Sequence, residues 1–439
     1  MPELQPSAPA PRWTRYAAIA CLVVACAIFI TKGLLPTLKP EGNYDFRLIY
    51  SCARAFAHGQ SPYERDSVSR AWLNSDGDPA LDPAMVRGPG TYVYPPPALT
   101  LLAPFAALPW PTATILWALL NLSLTLFSLA AIARLAHLRA TPTCFLFALG
   151  LAMSPFLLHM KQGQTAMVVL ACVCAAAHAR TKGRPIRAGI LLGLGMSLKP
   201  QLGLLYAAYE AGRLRFRTAI AAAIVSLALT GIGAARMTAA GVDWWPAWKR
   251  NIADFTAIDD ANPTRTNPVR YQVVNLHYPL HNFTDNRELV QWTVYAVVGA
   301  LGAAYFVIDL KRRRAAGDQP GELSSLSFVS TVSLIVAYHR PYDAVVLAFP
   351  LALAIARLAR PPARPRHLVT LGLVLVHAIP LPILFTEAAT RGWVPPSIAQ
   401  SWLWQNALTP IQAYALVLLA AHLCWTRWKD GAELTKTPT

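Results

Sequence analysis

The basic residues of this chain come in bursts, and the intervals between them are apolar enough to sit in lipid. The bursts are Arg12/Arg15, Arg134/Arg139, Arg180–Arg187, Arg213–Arg217, Lys311–Arg314, Arg357–Arg366 and Arg427–Lys429, each at the end of an apolar stretch. Cytoplasmic loops of membrane proteins concentrate Lys and Arg. Placing all seven clusters on that side forces every stretch between them to cross an even number of times. Four polar segments, YDFR, KQGQ, LKPQ and YHRPYD, then land together on the opposite face. The pattern predicts an all-α polytopic membrane protein with a binding or catalytic site on its extracytoplasmic side.

Composition supports this. Only 14% of the 439 residues are charged and 55% are hydrophobic, with a mean hydropathy of +0.37. Soluble domains carry about 25% charged residues, so lipid must cover much of this surface. The net charge of +17 follows from loop bias. The basic residues lie at helix ends without interleaved aromatics, which argues against a nucleic-acid partner and favours contact with anionic membrane lipids. Six of the seven cysteines lie in apolar stretches, and Cys52, outside them, is expected to be reachable from the outer face. The pair Cys172 and Cys174 has no second ligand pair, so no metal site is expected.

Residues 1–12 are Pro-rich and expected to be a disordered tail, 13–427 to form one integral membrane domain, and 428–439 a cytoplasmic tail. The apolar stretch 16–35 is too long for a signal-peptide core and reads as a retained first helix. An outer loop spans 37–95. Within it Phe46, Ile49, Tyr50, Ala53 and Phe56 recur at helical spacing, predicting an amphipathic juxtamembrane helix over Tyr44–Ala57 that lies on the outer leaflet. A second outer loop, 237–287, shows turn chemistry and little apolar patterning. The total is about twelve transmembrane helices, both termini cytoplasmic, in the inner (plasma) membrane. Residues 186–198 and 202–212 are each too short to span ~30 Å at ~1.5 Å per residue. They must tilt, or LKPQ must sit below the outer surface in a protein-lined cavity. Gly189 and Gly193 fit a close helix contact. No internal repeat is evident, which counts against transporters built from duplicated halves.

Several residues carry chemistry. Asp45 is either a helix N-cap or a general base whose pKa is raised beside low-dielectric lipid. Lys199 interrupts an apolar run, at a cost of roughly 2.5–3.5 kcal/mol on insertion scales. It either meets an anion such as phosphate or snorkels to the interface. In YHRPYD, Arg340 and Asp343 form an internal pair, or His339 and Arg340 hold a phosphate. Lys161, Gln162 and Gln164 are an ordinary polar turn or part of a site. The YPPP segment at Tyr94 sets the angle of the next helix.

Taken in order, these segments resemble the family 87 glycosyltransferases, the membrane group that includes mycobacterial polyprenyl-phosphate-mannose-dependent mannosyltransferases. The matching residues are YDFRLIYSCARAFAHGQSPYE, YVYPPPALTLLAPFAALPW, Gly163-Gln164 and RPIRAGILLGLGMSLKPQLGLL, within about 40–360. The resemblance implies a GT-C fold, a polyprenyl-phosphate sugar donor, inversion at the anomeric carbon, and a catalytic Asp in the first outer loop, matched by Asp45. It also implies a His near the outer end of a later helix, for which His339 is the match. On that reading Lys199, His339 and Arg340 hold the donor phosphate, with Lys161 and Arg47 as further candidates. Tyr63, Tyr94, Gln162, Gln164, Gln201 and Asp343 are the candidates for substrate contact. The acceptor is a glycolipid or glycan hydroxyl, the sugar is expected to be mannose, and no cofactor or metal is called for. Two other readings stay open: a transporter or flippase of lipid-linked sugars, and a polymerase or ligase of surface polysaccharide.

Overall fold

Proline and glycine set the helix boundaries. The structure, a computed structural model, describes residues 12–86, 92–257, 261–316, 322–360 and 363–434, all helix, turn or coil. Its longer helices are α1 (Arg12–Thr37), α2 (Tyr44–Ala57), α3 (Arg65–Leu73), α4 (Pro96–Ala106), α5 (Trp110–Leu135) and α6 (Ala140–Ala152). Then come α7 (Ser154–Gln162), α8 (Ala166–Thr181), α9 (Pro185–Leu198), α10 (Pro200–Gly212), α11 (Phe216–Ala239) and α12 (Trp244–Ala257). The last are α13 (Arg287–Ala316), α14 (Glu322–Val336), α15 (Ala348–Leu358), α16 (Pro365–Leu375), α17 (Leu381–Thr390) and α18 (Ile411–Leu434). Pro96, Pro185, Pro200 and Pro365 each stand at the first position of a helix, where a missing N–H leaves no bond unmade.

Among the described residues, five segments are long and apolar enough to cross a bilayer: Arg12–Thr37, Trp110–Leu135, Phe216–Ala239, Arg287–Arg312 and Pro341–Leu358. Helices α6 and α7, bent by 53°, make a sixth if read as one broken span. Most of the remaining apolar helices have only 10–17 residues, so length and composition account for about half of the twelve crossings expected from sequence.

Several arginines of the basic clusters pair with carboxylates on other helices. Arg180, ending α8, meets Glu210 of α10 and Glu322 of α14. Asp309 of α13 takes Arg213 at 2.5 Å and Arg427 of α18 at 2.9 Å. Asp430 of α18 takes Arg357 at 2.9 Å and Arg366 at 2.8 Å. The opposite ends of α8, α9, α10 and α14 carry Gln164, Lys199 and Tyr338. At ~1.5 Å per residue these four helices are only about 20–24 Å long.

Two apolar cores lie side by side. The larger is aliphatic and joins α5, α6, α8, α14, α15 and α18. The smaller is aromatic and joins α2, α3, α4 and the start of α5. Helix α9 lies close along α11 because Gly189 and Gly193 face it. A Cβ on either would come within 2.4 Å of the Thr218 carbonyl oxygen or 2.7 Å of that of Ala222. These are the two glycines singled out for a close contact.

Three expectations are corrected. Helix α2 has the predicted bounds, but eleven of its residues are buried; α3, α4 and the start of α5 cover it, so it does not lie open on a leaflet. Cys52 sits in the aromatic core at 1% exposure and is not reachable. The second outer loop contains α12, a 14-residue helix. The expected cytoplasmic tail is helical through Leu434 as the end of α18, and 435–439 lie outside the described residues, as does the expected N-terminal disorder over 1–11.

Substituting Gly193 by Leu will lower the melting temperature of the detergent-solubilised protein, because overpacking a closed contact costs about 1–3 kcal/mol. Gly231→Leu on α11, where a Cβ meets nothing within 4 Å, will leave it nearly unchanged. Equal melting of the two variants would show that α9 and α11 are not closely packed.

Candidate active site

Four breaks in the helical chain meet around one cavity, and each break delivers a polar side chain. The first is the start of α2. Asn43, left-handed at φ 53°, precedes it, and Asp45 stands in its first turn, where the helix dipole favours an acid. Asn43 occupies the N-cap position, so Asp45 is not the cap. The second break is Gly163, left-handed at φ 68° at the end of α7. A Cβ there would come within 2.5 Å of Asn43 Oδ1, so both conformation and space require glycine. Gln164 follows. The third is Lys199, driven out of helical geometry (φ −146°, ψ 82°) between α9 and α10 by Pro200 after it. The fourth is Tyr338–Asp343, between α14 and a 3₁₀ turn over Pro341–Leu347.

These breaks are tied into one chain of contacts. Gln164 Nε2 donates to Asp45 Oδ2 at 2.6 Å, and Lys199 Nζ donates to Gln164 Oε1 at 3.3 Å. Lys199 Nζ also donates to Asp343 Oδ1 at 2.5 Å, and Asp343 Oδ2 lies 2.9 Å from His339 Nδ1. Having both partners fixes which way the Gln164 amide points. An ammonium has three N–H groups, and two of those on Lys199 are accounted for here. The anion expected beside Lys199 is therefore, in the protein itself, the Asp343 carboxylate. The acid of YHRPYD pairs with Lys199 and His339. Arg340 instead takes the Tyr338 hydroxyl at 2.7 Å and Gln272 Oε1 at 2.5 Å.

Aromatic packing holds the first two breaks together. Phe46, next to Asp45, stacks on Trp117 of α5 with ring centroids 4.5 Å apart. Trp117 Nε1 donates to the Gly163 carbonyl oxygen at 2.8 Å. From Asp45 through Phe46, Trp117, Gly163 and Gln164 back to Asp45, the contacts form a closed ring.

The cavity has a volume of about 640 Å³. Of the residues expected from sequence, Asp45, Tyr94, Gln162, Gln164, Lys199, Gln201 and Arg340 line it. The others stand elsewhere. His339 and Asp343 are fully buried behind Lys199. Tyr63 is one layer back, its hydroxyl on the Tyr94 carbonyl oxygen at 3.0 Å, and burial pushes its phenol far above the usual range. Arg47 turns away to the carbonyl oxygens of Leu81 at 3.1 Å and Glu41 at 3.0 Å. Lys161 is exposed and does not line the cavity. Residues unforeseen from sequence complete the wall: Trp248, Ile252 and Phe255 of α12, Gln272 and Tyr342. Trp244, Trp248, Ile252 and Phe255 recur at fours and threes, a helical stripe that marks α12 in the sequence. Nothing local marks Gln272.

One wall thus carries a carboxylate that accepts from the Gln164 amide, the next carries cations, and α12 supplies an apolar side. That arrangement suits proton abstraction from a hydroxyl beside an anionic group that gains charge. A family model for glycosyltransferase family 87 matches residues 92–338. The matched region contains Tyr94, Gln162, Gln164, Lys199 and Gln201; Asp45 and Asp343 lie outside it. No curated protein and no solved structure matches the chain.

Breaking the buried pair from one side leaves an uncompensated charge and costs about 3–5 kcal/mol. Lys199→Met will therefore melt well below the wild type, and the double variant Lys199→Met/Asp343→Asn will recover much of the loss. A Lys199→Met protein as stable as the wild type would show that the pair does not hold the two breaks together.

Proposed function

The chain belongs to glycosyltransferase family 87, and on that premise we propose that it moves a sugar, in the first instance mannose, from a polyprenyl-phosphate donor to an acceptor hydroxyl outside the cytoplasm. Membership makes it a membrane glycosyltransferase; donor, acceptor and mechanism are the proposal. The observation that carries it is that Asp45 and Lys199, from sequence segments 154 positions apart, line one cavity with Gln164 between them. The fold we assign is GT-C, with about twelve crossings once each of the six shorter apolar helices is counted with the five to six longer spans.

The reaction is a single displacement. Asp45 takes the proton of the acceptor hydroxyl while its oxygen attacks the anomeric carbon. The bond from that carbon to the phosphate oxygen breaks on the opposite face, and its electron pair stays on the phosphate. Configuration at the carbon inverts. The departing polyprenyl phosphate gains one negative charge, so it needs cations already in place. Lys199 and Arg340 border the cavity and fill that role. His339 and Asp343 act from behind by fixing the Lys199 ammonium. Lys161 and Arg47, directed elsewhere, have no part in it. The apolar side of α12, with Trp248, Ile252 and Phe255, suits the first isoprene units of the donor, and Gln162, Gln201 and Gln272 suit sugar hydroxyls.

Depth fits this donor. Helices α8, α9, α10 and α14 rise only about 20–24 Å from the basic end, short of a hydrocarbon layer of ~30 Å. The cavity then opens within the membrane plane, on the extracytoplasmic side. A lipid-anchored donor reaches it without leaving the bilayer.

Asp45→Asn keeps the shape and one acceptor oxygen for Gln164 but cannot take a proton. In purified protein given radiolabelled mannosyl polyprenyl phosphate and an acceptor membrane extract, transfer will fall by roughly 10²-fold or more. Donor binding and melting temperature will stay near wild type. A variant that turns over at the wild-type rate would remove Asp45 from the role of base.

A further inference from the structure

We infer that a groove at the basic end, between α5, α8 and α9, is a binding site for an anionic phospholipid. The headgroup phosphate sits at the rim and the acyl chains run down the floor. This site is separate from the cavity described above and does not depend on the transfer reaction.

The groove has a volume of about 550 Å³. Its floor is apolar: Phe127, Ala131 and Leu135 of α5, Ala175 of α8 and Leu191 of α9. Its rim is basic: Arg134 from the end of α5, Lys182 after α8, and Arg184 and Arg187 at the start of α9, with His137 and His178 beside them. Among the described residues no Asp or Glu lines it.

Pairing separates this rim from six other arginines of the basic clusters. Arg180, Arg213, Arg215, Arg357, Arg366 and Arg427 each meet a carboxylate of the protein. Among the described residues no carboxylate pairs with Arg134, Lys182, Arg184 or Arg187, and all four are exposed. Four unpaired cations at the mouth of an apolar trench complement a phosphodiester carrying hydrocarbon chains. Loop bias accounts for basic residues at this end, but not for their grouping around one trench while their neighbours are neutralised. The glycosyl donor is not the occupant, because the groove lies at the opposite ends of α8 and α9 from Gln164 and Lys199.

The test uses the full-length protein in neutral detergent, with native mass spectrometry counting retained lipid after addition of phosphatidylglycerol or phosphatidylcholine. The wild type will keep one phosphatidylglycerol under conditions that strip phosphatidylcholine. The triple variant Arg134→Gln/Arg184→Gln/Arg187→Gln will lose that preference by about tenfold or more, the scale of one or two charge-assisted hydrogen bonds. A second triple, Arg15→Gln/Lys311→Gln/Arg360→Gln, removes the same charge from exposed positions on other segments and will keep it. Equal loss in both triples would reduce the effect to diffuse attraction and overturn the site, as would no loss in the first. Should the first triple fail to fold, Arg184→Gln alone carries the same comparison against Arg360→Gln.

Discussion

An ammonium group cannot be taken out of water without an anion beside it, and in this protein Asp343 is that anion for Lys199. The pair fastens the break between α9 and α10 to the turn that follows α14, two places 144 residues apart in sequence. Once those are fastened, Gln164 has a fixed cation to accept from, and its amide is left facing Asp45. Helix α2 is thereby registered against the bundle. Lose the pair, and the break between α9 and α10 is no longer fastened to the turn after α14.

The cavity lies where two cores of different make-up meet. One is aliphatic and made of helices that run to the basic end; the other is aromatic and made by the first outer segment with α4 and the start of α5. Trp117 belongs to the aromatic core yet bonds Gly163 at the bundle side. It joins the two cores beside the carboxylate. The restriction of Gly163 to glycine follows from the same crowding, since Asn43 and Phe46 approach its Cα from the other core.

Much of this was legible in the sequence. The spacing of basic clusters gave the two ends of the molecule. The period of Phe46, Ile49, Tyr50, Ala53 and Phe56 gave α2 with its bounds. Lys199-Pro200 gave a broken pair of helices and a charge in a lined cavity. What stayed hidden has a physical reason in each case. The period that predicts an amphipathic helix does not say whether protein or lipid covers its apolar face, so α2 and Cys52 were misplaced at the surface. A lysine in an apolar run announces that it needs an anion, but not whether the anion is a ligand or an aspartate 144 residues away. Arg47 and Lys161 sit beside site residues in sequence and point elsewhere, because neighbours on a helix face different ways.

The ring from Asp45 through Phe46, Trp117 and Gly163 to Gln164 makes the two cores behave like the jaws of a pair of pliers. The carboxylate rides on one jaw and the ammonium on the other, with a single amide spanning the gap. A change of shape at Trp117 or Gly163 is therefore passed to the spacing of the two charges, because both residues lie in the ring that carries the Gln164 amide.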